Sequence, residues 1–279
     1  MTTTESKTAA PFRELMTLTE HDGGYRAEID PMWTIGAKVH GGAMAAIIAT
    51  AARRTLHERG VPMDPLAISL DFQAAPDPGT VDLVVEVRKV GRQISLADVT
   101  LSQGGRLAVR ASVTLGYLDE HPPVHQTPLD MPVTPAADAI VYENSAFSDF
   151  VHVSQAVTLR MDNESAAFAR GATGEPELRL WAKPLDGDGE DPELLALLAI
   201  LLTDMSAPVV FNLGSGQGWC PTVQMTVFLR RRPAPGWFRI KSTTVSVGTN
   251  AFDEDHVVVD STGAVVAQSR QLALIPRRV

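Results

Sequence analysis

Two long stretches of the chain alternate apolar and polar residues with the period of two that is typical of half-buried β-strands. The first runs from Pro65 to Leu118 and the second from Pro221 to Ile275. Each opens with one alternating strand and turns at a Pro-x-Pro-Gly sequence, Pro76 to Gly79 in the first and Pro233 to Gly236 in the second. Three further strands follow each turn, so the pattern predicts that the chain contains one antiparallel unit twice.

An apolar helix is predicted before each stretch. The first helix runs from Gly42 to about Arg54 and is rich in alanine, and the second runs from Pro192 to about Thr203 as "PELLALLAILLT". A helix that is apolar on all sides must be enclosed by other elements. Four antiparallel strands that curl around a long helix form an α+β unit, so this is the fold class that we expect.

A proline-rich segment separates the two predicted units. Five prolines lie between residues 122 and 135, and no apolar period accompanies them, which indicates an extended linker. We therefore expect an N-terminal domain over residues 11–118, a linker over residues 119–147 and a C-terminal domain over residues 148–279.

Composition and charge exclude several classes of protein. Of the 279 residues, 44% are apolar and 20% are charged, which is typical of a globular chain. The net charge of −9 argues against a nucleic-acid partner, because phosphate binding requires clustered cations. The longest apolar run, Leu194 to Leu202, is far shorter than the roughly 20 residues of a membrane span. With Cys220 as the single cysteine and no signal segment, we expect a cytoplasmic protein without disulfides.

Four motifs carry a resemblance to a known family: "KVHGGAMAA" in the first half, and "LLTDMSAP", "PTVQMTVFLRRRP" and "VVAQSRQLALI" in the second. From about Phe12 to Ile275 the chain resembles acyl-CoA thioesterases of the thioesterase II type and the related thioesterase-like superfamily. The resemblance implies a double hotdog fold, in which each of two repeats wraps a curved antiparallel sheet around a long central helix. It also implies an acyl-CoA substrate, hydrolysis without a cofactor, and a homodimer or larger homo-oligomer.

The family uses an Asp, a Thr or Ser, and a Gln to activate water. The resemblance places these roles at Asp204 in "LTDMS", at Thr222 in "PTVQMTV" and at Gln271 in "SRQLAL". The match at Thr222 requires one extra residue in the following "RRRP" stretch, so Thr226 and Gln268 are the nearest competitors.

The two halves look complementary at this site. Single-hotdog thioesterases often carry His-Gly-Gly at the start of the helix and an acid nine positions later. Here His40 leads to Ala49, so the first half lacks the acid, whereas Leu195 stands nine positions before Asp204. The repeat also aligns Val113 with the glutamine of the second half. We therefore expect a catalytic second half and a structural first half with a degenerate site.

The side chains of the three residues suit thioester hydrolysis, although alternation alone does not settle their surroundings. After nine apolar residues we expect the carboxylate of Asp204 to be partly desolvated, which would raise its pKa and make it a better base. Alternation places Gln271 among small residues on one face of its strand and the leucines on the other face. Alternation also groups Thr222 with Gln224 and Thr226, a polar set that fits solvent equally well.

Further residues are candidates for substrate binding. His40, Gly41 and Gly42 offer backbone amides at a helix N-terminus, which suit an oxyanion or a phosphate, although close packing explains the glycines equally well. Arg230 and Arg231 are candidates for the phosphates of CoA, but consecutive strand residues point to opposite faces.

Other chemistries have less support. The chain has no Gly-x-Ser-x-Gly motif for a hydrolase nucleophile, and no histidine spacing that indicates a metal site. The main alternative is a non-catalytic acyl-CoA or acyl-lipid binding protein that kept the fold and lost turnover. An enoyl-thioester hydratase is a third possibility, but the Asp and His of a hydratase motif are not evident at a matching helix.

Overall fold

Antiparallel strands make up most of the computed structural model, which describes residues 10–145, 147–215 and 218–276. Three α-helices occur within these ranges: α1 (Pro11–Leu15), α2 (Gly41–Glu58) and α3 (Pro192–Leu202). The strands of the first half are β1 (Thr19–His21), β2 (Gly24–Ile29), β3 (Thr34–Ile35), β4 (Lys38–Val39), β5 (Asp64–Phe72), β6 (Gly79–Lys89), β7 (Ser95–Gln103) and β8 (Arg106–Gly116). The remaining strands are β9 (Ile140–Val141), β10 (Val157–Met161), β11 (Glu177–Pro184), β12 (Thr222–Leu229), β13 (Phe238–Thr243), β14 (Ala251–Val259) and β15 (Val265–Leu274).

The described strands, apart from the β3–β4 ribbon, form one antiparallel sheet. Its order is β1-β2-β6-β7-β8-β5-β12-β15-β14-β13-β11-β10-β9. The halves of the chain meet where β5 pairs with β12, and the hydroxyl oxygens of Ser69 and Thr226 lie 3.1 Å apart across this junction. The large antiparallel sheet with few helices agrees with the α+β class predicted from the alternating pattern.

Helices α2 and α3 lie in the core, where the N-terminus of α2 meets the C-terminus of α3. A Cβ atom at Gly42 would lie 2.4 Å from the carbonyl oxygen of Leu201, so only glycine permits this approach. Helix α3 begins at Pro192 after Asp191, whose carboxylate accepts the amides of residues 193 and 194 as an N-cap. Among the described residues, no helix has both the length and the apolar character needed to cross a membrane.

Helix α2 extends beyond the predicted end at Arg54. The guanidinium of Arg54 pairs with the carboxylate of Glu58 one turn later, at 2.7 Å, and the helix continues to that residue. Charged pairs at this spacing stabilise the last turn of a helix, although the apolar pattern has already ended there.

The proline-rich segment lies against the second half and ends before the predicted boundary at residue 147. The side chain of Gln126 donates to the carbonyl oxygen of Gly263 and accepts the amide of Val265. The indole of Trp181 donates to the carbonyl oxygen of Pro132. Strand β9 then joins the sheet by pairing with β10, so the extended segment stops at about residue 139. Two paired residues are too few to leave a readable alternation in the sequence.

Candidate active site

A cavity of about 610 Å³ opens between the two halves of the chain. Its volume falls within the range that is usual for small-molecule sites. Five of the predicted site residues line it: His40, Gly41, Asp204, Thr222 and Gln271. These residues come from the start of α2, the end of α3 and the strands β12 and β15, so the fold brings together positions that lie far apart in the sequence.

The carboxylate of Asp204 is enclosed at the meeting point of α2 and α3. Its Oδ2 accepts the backbone amide of Gly42 at 2.8 Å, and only 12% of its side chain is exposed. A Cβ atom at Gly41 would lie 2.7 Å from the same Oδ2. Two adjacent glycines are therefore needed to seat this carboxylate at the N-terminus of α2, where the helix dipole favours a negative charge.

Burial raises the pKa of Asp204 above its ordinary value. The nearby His40 and the amide of Gly42 act in the opposite direction, because each favours the ionised carboxylate. Burial has the larger effect, so the raised pKa expected from the sequence agrees with this environment. A carboxylate that is harder to ionise is a stronger base once it is ionised.

The side chain of His40 binds the backbone of Asp204. The Nδ1 atom of His40 accepts the amide of Ala43 at 3.3 Å and so caps α2, which leaves the ring proton on Nε2. That Nε2–H donates to the carbonyl oxygen of Asp204 at 2.8 Å. Both ring nitrogens of His40 are thus already hydrogen-bonded. The backbone amide of Gly42 donates to the carboxylate of Asp204 and does not face the cavity. The first half therefore helps to form the cleft, as expected from the sequence, and it also holds the carboxylate of Asp204, which was not expected.

Thr222 reaches the cavity because of a bulge in β12. The register with β15 shifts between Thr222 and Gln224, so Thr222 pairs with Ala273 and turns toward the interior. Simple alternation had grouped Thr222 with Gln224 and Thr226, and the bulge makes that grouping wrong. Thr222 Oγ1 instead donates to Gln271 Oε1 at 2.9 Å.

Gln271 lies on the buried face of β15 with Ser269 and Ala273, as alternation predicted. Neither competitor is among the residues that line the cavity. Gln268 accepts a hydrogen bond from the guanidinium of Arg230, while Thr226 is hydrogen-bonded to Ser69 at the sheet junction. The geometry therefore favours Thr222 and Gln271 over both.

Arg230 and Arg231 lie away from the cavity. Strand β12 separates them from Thr222 by eight residues, about 26 Å at the usual rise per strand residue. The guanidinium of Arg230 lies over the ring of Phe228, 5.0 Å from its centroid, and Arg231 donates to the carbonyl oxygen of His121. Their contribution to phosphate binding stays a prediction without support from this placement.

Glu254 on β14 is a site residue that the sequence reasoning missed. Its Oε2 accepts the amide nitrogen of Gln271 at 2.9 Å, and its Oε1 accepts the backbone amide of Val209 at 3.1 Å. Burial raises the pKa of Glu254 to about 8, and the charge of Asp204 adds to this effect. The alternation of β14 could have indicated this residue, because Glu254 stands two positions after Phe252 and therefore points to the same buried face.

An aromatic wall lines the same cavity as these polar residues. The rings of Tyr142, Phe147, Phe168 and Phe211 are in successive contact, with centroids 5.6 to 5.9 Å apart. All four line the cavity, and they come from short 3-10 helices and loops whose positions no apolar period predicts. Trp219 also lines it, in the glycine-rich loop from Leu213 to Trp219, of which Gly216 and Gln217 lie outside the described residues.

Comparison with known families identifies the class of this chain. Residues 29–116 match the model of the acyl-CoA thioesterase N-terminal domain, and residues 125–275 match that of the acyl-CoA thioesterase C-terminal domain. The chain belongs to the acyl-CoA thioesterase family.

Individual relatives extend this result. The chain is 42% identical over 276 residues to Rv0499, an uncharacterized protein of Mycobacterium tuberculosis, covering 90% of this chain and 91% of that protein. A candidate thioesterase II of Thermobifida fusca superposes with a TM-score of 0.80 at 28% identity, over 95% of this chain and 97% of that one. The acyl-CoA thioesterase II TesB2 of Mycobacterium marinum gives a TM-score of 0.73 at 16% identity, over 96% and 98% of the two chains, and so shows likeness of fold alone.

Proposed function

We propose that this protein hydrolyses acyl-CoA thioesters to a free acid and CoA, with a water molecule activated by Asp204, Thr222 and Gln271. The observation that carries the proposal is the convergence of these three residues on one cavity beside an aromatic wall. Membership of the acyl-CoA thioesterase family supports the reaction class.

The proposed reaction needs a water made nucleophilic next to the thioester carbonyl. The carboxylate of Asp204 takes one proton from the water as its oxygen attacks the carbonyl carbon. Thr222 and Gln271 fix the direction of that water. The tetrahedral intermediate then collapses with cleavage of the carbon–sulfur bond, and the proton held by Asp204 returns to the departing CoA sulfur.

The aromatic wall is the proposed acyl site. Tyr142, Phe147, Phe168 and Phe211 present an apolar surface beside the polar residues. Burial of an acyl chain there stabilises the complex in proportion to the apolar area removed from water. We further propose a fatty acyl group as the substrate, since the wall offers no charged partner for a polar acyl chain.

The repeated unit is also proposed on the basis of strand order. In the sheet, β5, β8, β7, β6 and β2 leave the junction in one direction, and β12, β15, β14, β13 and β11 leave it in the other. This order is the one expected of two copies of a hotdog unit, each with its helix, α2 or α3. A homodimer or larger assembly remains part of the proposal and is measurable by light scattering during size-exclusion chromatography.

The test is release of free thiol from a panel of acyl-CoAs, from short to long chains, by the wild type and Asp204→Asn in parallel. Asparagine keeps an oxygen that can accept the amide of Gly42, so the variant removes the base and preserves the packing. We expect wild-type turnover and a loss of about a hundredfold or more in the variant, a size typical of a general base. Binding of acyl-CoA without thiol release by the wild type would instead support the acyl-binding alternative.

A further inference from the structure

A chain of hydrogen bonds continues from Glu254 through Ser206, which also lines the cavity, to the buried side chains of His256 and Ser269. Ser206 Oγ lies 3.4 Å from Glu254 Oε1 and 2.9 Å from His256 Nε2. His256 Nδ1 lies 3.2 Å from Ser269 Oγ, which is 2.9 Å from the carbonyl oxygen of Thr203. Glu254, His256 and Ser269 are at most 5% exposed, so these groups have little access to water.

The carbonyl oxygen of Thr203, at the end of this chain, determines which atom donates and which accepts in every hydrogen bond of the chain. A carbonyl oxygen only accepts hydrogen bonds, so the hydroxyl of Ser269 donates to Thr203. Ser269 Oγ in turn accepts a hydrogen bond from the N–H at His256 Nδ1. His256 Nε2 of the neutral ring then accepts the hydroxyl of Ser206. Ser206 has no second hydrogen, so its contact with Glu254 is a hydrogen bond only when Glu254 supplies the proton from Oε1.

One alternative arrangement holds the same number of protons, with an imidazolium at His256 and a carboxylate at Glu254. Burial disfavours both charges: it lowers the pKa of His256 to about 3 and raises that of Glu254 to about 8. The charged and titratable groups near Glu254 do not reverse this, since Asp204 and Cys220 add no positive charge. The neutral pair is therefore the favoured state.

The order of donors and acceptors continues from Glu254 to Gln271 and Thr222 in the candidate active site. With its proton on Oε1, Glu254 presents Oε2 as a carbonyl oxygen, which accepts the amide nitrogen of Gln271. The amide oxygen of Gln271 then faces Thr222 and accepts its hydroxyl. Because that hydrogen is committed, Thr222 offers only lone pairs to the cavity. A water between Asp204 and Thr222 would donate one hydrogen to each, leaving an oxygen lone pair for the thioester carbonyl.

We infer that Glu254, held as a neutral acid by the Ser206–His256–Ser269 chain, is a positioning residue that fixes the amide of Gln271 and so makes Thr222 an acceptor. This inference rests on the proposed hydrolysis and adds to it a residue that does not touch the substrate. An inverted Gln271 amide would turn the hydroxyl of Thr222 toward the cavity as a donor and misdirect the water.

The kinetic test compares Glu254→Met with Glu254→Gln. Methionine has a similar length and no strong hydrogen bond, whereas glutamine can donate to Ser206 and accept from Gln271, losing only the bond from Val209. We expect Glu254→Met to lower kcat about 10- to 100-fold with KM within about threefold, the usual cost of leaving a buried amide unpaired. Glu254→Gln should restore kcat to within about tenfold of wild type. Equal losses in the two variants, or wild-type kcat in Glu254→Met, would overturn the inference.

A second measurement does not depend on activity. Nitrogen-15 NMR of protein labelled at its seven histidines, with His256 assigned by comparison with His256→Gln, reports the protonation of each ring nitrogen. At neutral pH we expect His256 to carry one proton, on Nδ1. A doubly protonated ring, or a proton on Nε2 alone, contradicts the chain of bonds. If the wild type released no thiol, the proposed function would fail, and the NMR result would still decide the state of Glu254 and His256.

Discussion

The backbone amide of Gly42 and the carboxylate of Asp204 lie 2.8 Å apart, although 162 positions separate them in the sequence. The first half supplies the helix N-terminus and the second supplies the acid. The comparison with single-hotdog thioesterases had predicted such a division, since Ala49 stands where the first half would carry an acid and Leu195 where the second would carry the histidine. The candidate site is therefore a property of the pair of halves.

The close approach at Gly41 gives a first prediction. In Gly41→Ala, the added methyl group would lie 2.7 Å from Asp204 Oδ2, so the carboxylate must move. We expect kcat for acyl-CoA hydrolysis to fall about tenfold or more, because small misplacements of a base are costly. Gly189→Ala is the matched control: its Cβ meets nothing closer than 3.7 Å, and its backbone has an ordinary helical φ of −89°. Equal activity of both variants in a thiol-release assay contradicts the prediction.

The α+β class could be predicted from the sequence because alternation with period two is a strong local signal. The family motifs led to Asp204, Thr222 and Gln271, which all line one cavity, while their roles stay a prediction. The bulge that turns Thr222 inward leaves no such signal, since it depends on pairing between β12 and β15. Glu254 was missed for a related reason: it stands in the run "FDEDH", whose acids look solvated until the sheet buries one of them.

The aromatic wall gives a prediction about binding. The ring of Phe147 lies between those of Tyr142 and Phe168, so Phe147→Ala opens the centre of the wall. We expect KM for fatty acyl-CoA to rise about tenfold with kcat within about threefold, which is the signature of lost uniform binding. Val84→Ala, at a side chain that is 57% exposed on β6, serves as the control and should leave both constants unchanged. A lower kcat at constant KM would assign Phe147 to the chemistry and not to acyl binding.

An ion network lies at the other ends of α2 and α3. The carboxylate of Asp64 forms salt bridges with the guanidinium groups of Arg53 at 2.9 Å and Arg232 at 2.5 Å. Arg53 also forms a salt bridge with Glu193 at 2.6 Å. These residues join α2, β5, α3 and the end of β12, and none of them lines the cavity. The network thus joins the two halves of the chain at the ends of α2 and α3 that lie away from Asp204.

The prediction for this network concerns stability. Asp64→Ala leaves two arginines without their shared carboxylate, one of them only 18% exposed. We expect the free energy of unfolding to fall by about 2 kcal/mol, below the full cost of breaking a buried pair because Arg232 is partly solvated. Urea unfolding measures this change, while kcat should stay near the wild-type value. Unchanged stability would show that solvent replaces the carboxylate without cost.

The buried pair Glu254 and His256 predicts how stability varies with pH. Folding raises the pKa of Glu254 from 4.5 to about 8, so folded protein holds a proton that unfolded protein releases, and stability falls as pH rises across that range. Folding lowers the pKa of His256 from 6.5 to about 3, so stability rises with pH between those values. The two effects oppose each other between pH 4.5 and 6.5, and of these two groups only Glu254 acts from pH 6.5 to 8.

We therefore expect the free energy of unfolding to fall by about 2 kcal/mol between pH 6.5 and 8, at about 1.4 kcal/mol per pH unit for one proton. Carboxylates whose pKa is lowered, such as Glu58 and Glu177, finish titrating well below this window and do not mask the fall. Urea unfolding of the wild type and Glu254→Gln at the two pH values measures it, with the exposed Glu164→Gln as control. The fall should vanish in Glu254→Gln and persist in the control. A wild type equally stable at both pH values would mean that Glu254 is ionised in the folded protein at neutral pH, and Asp204 would then share its site with a second negative charge.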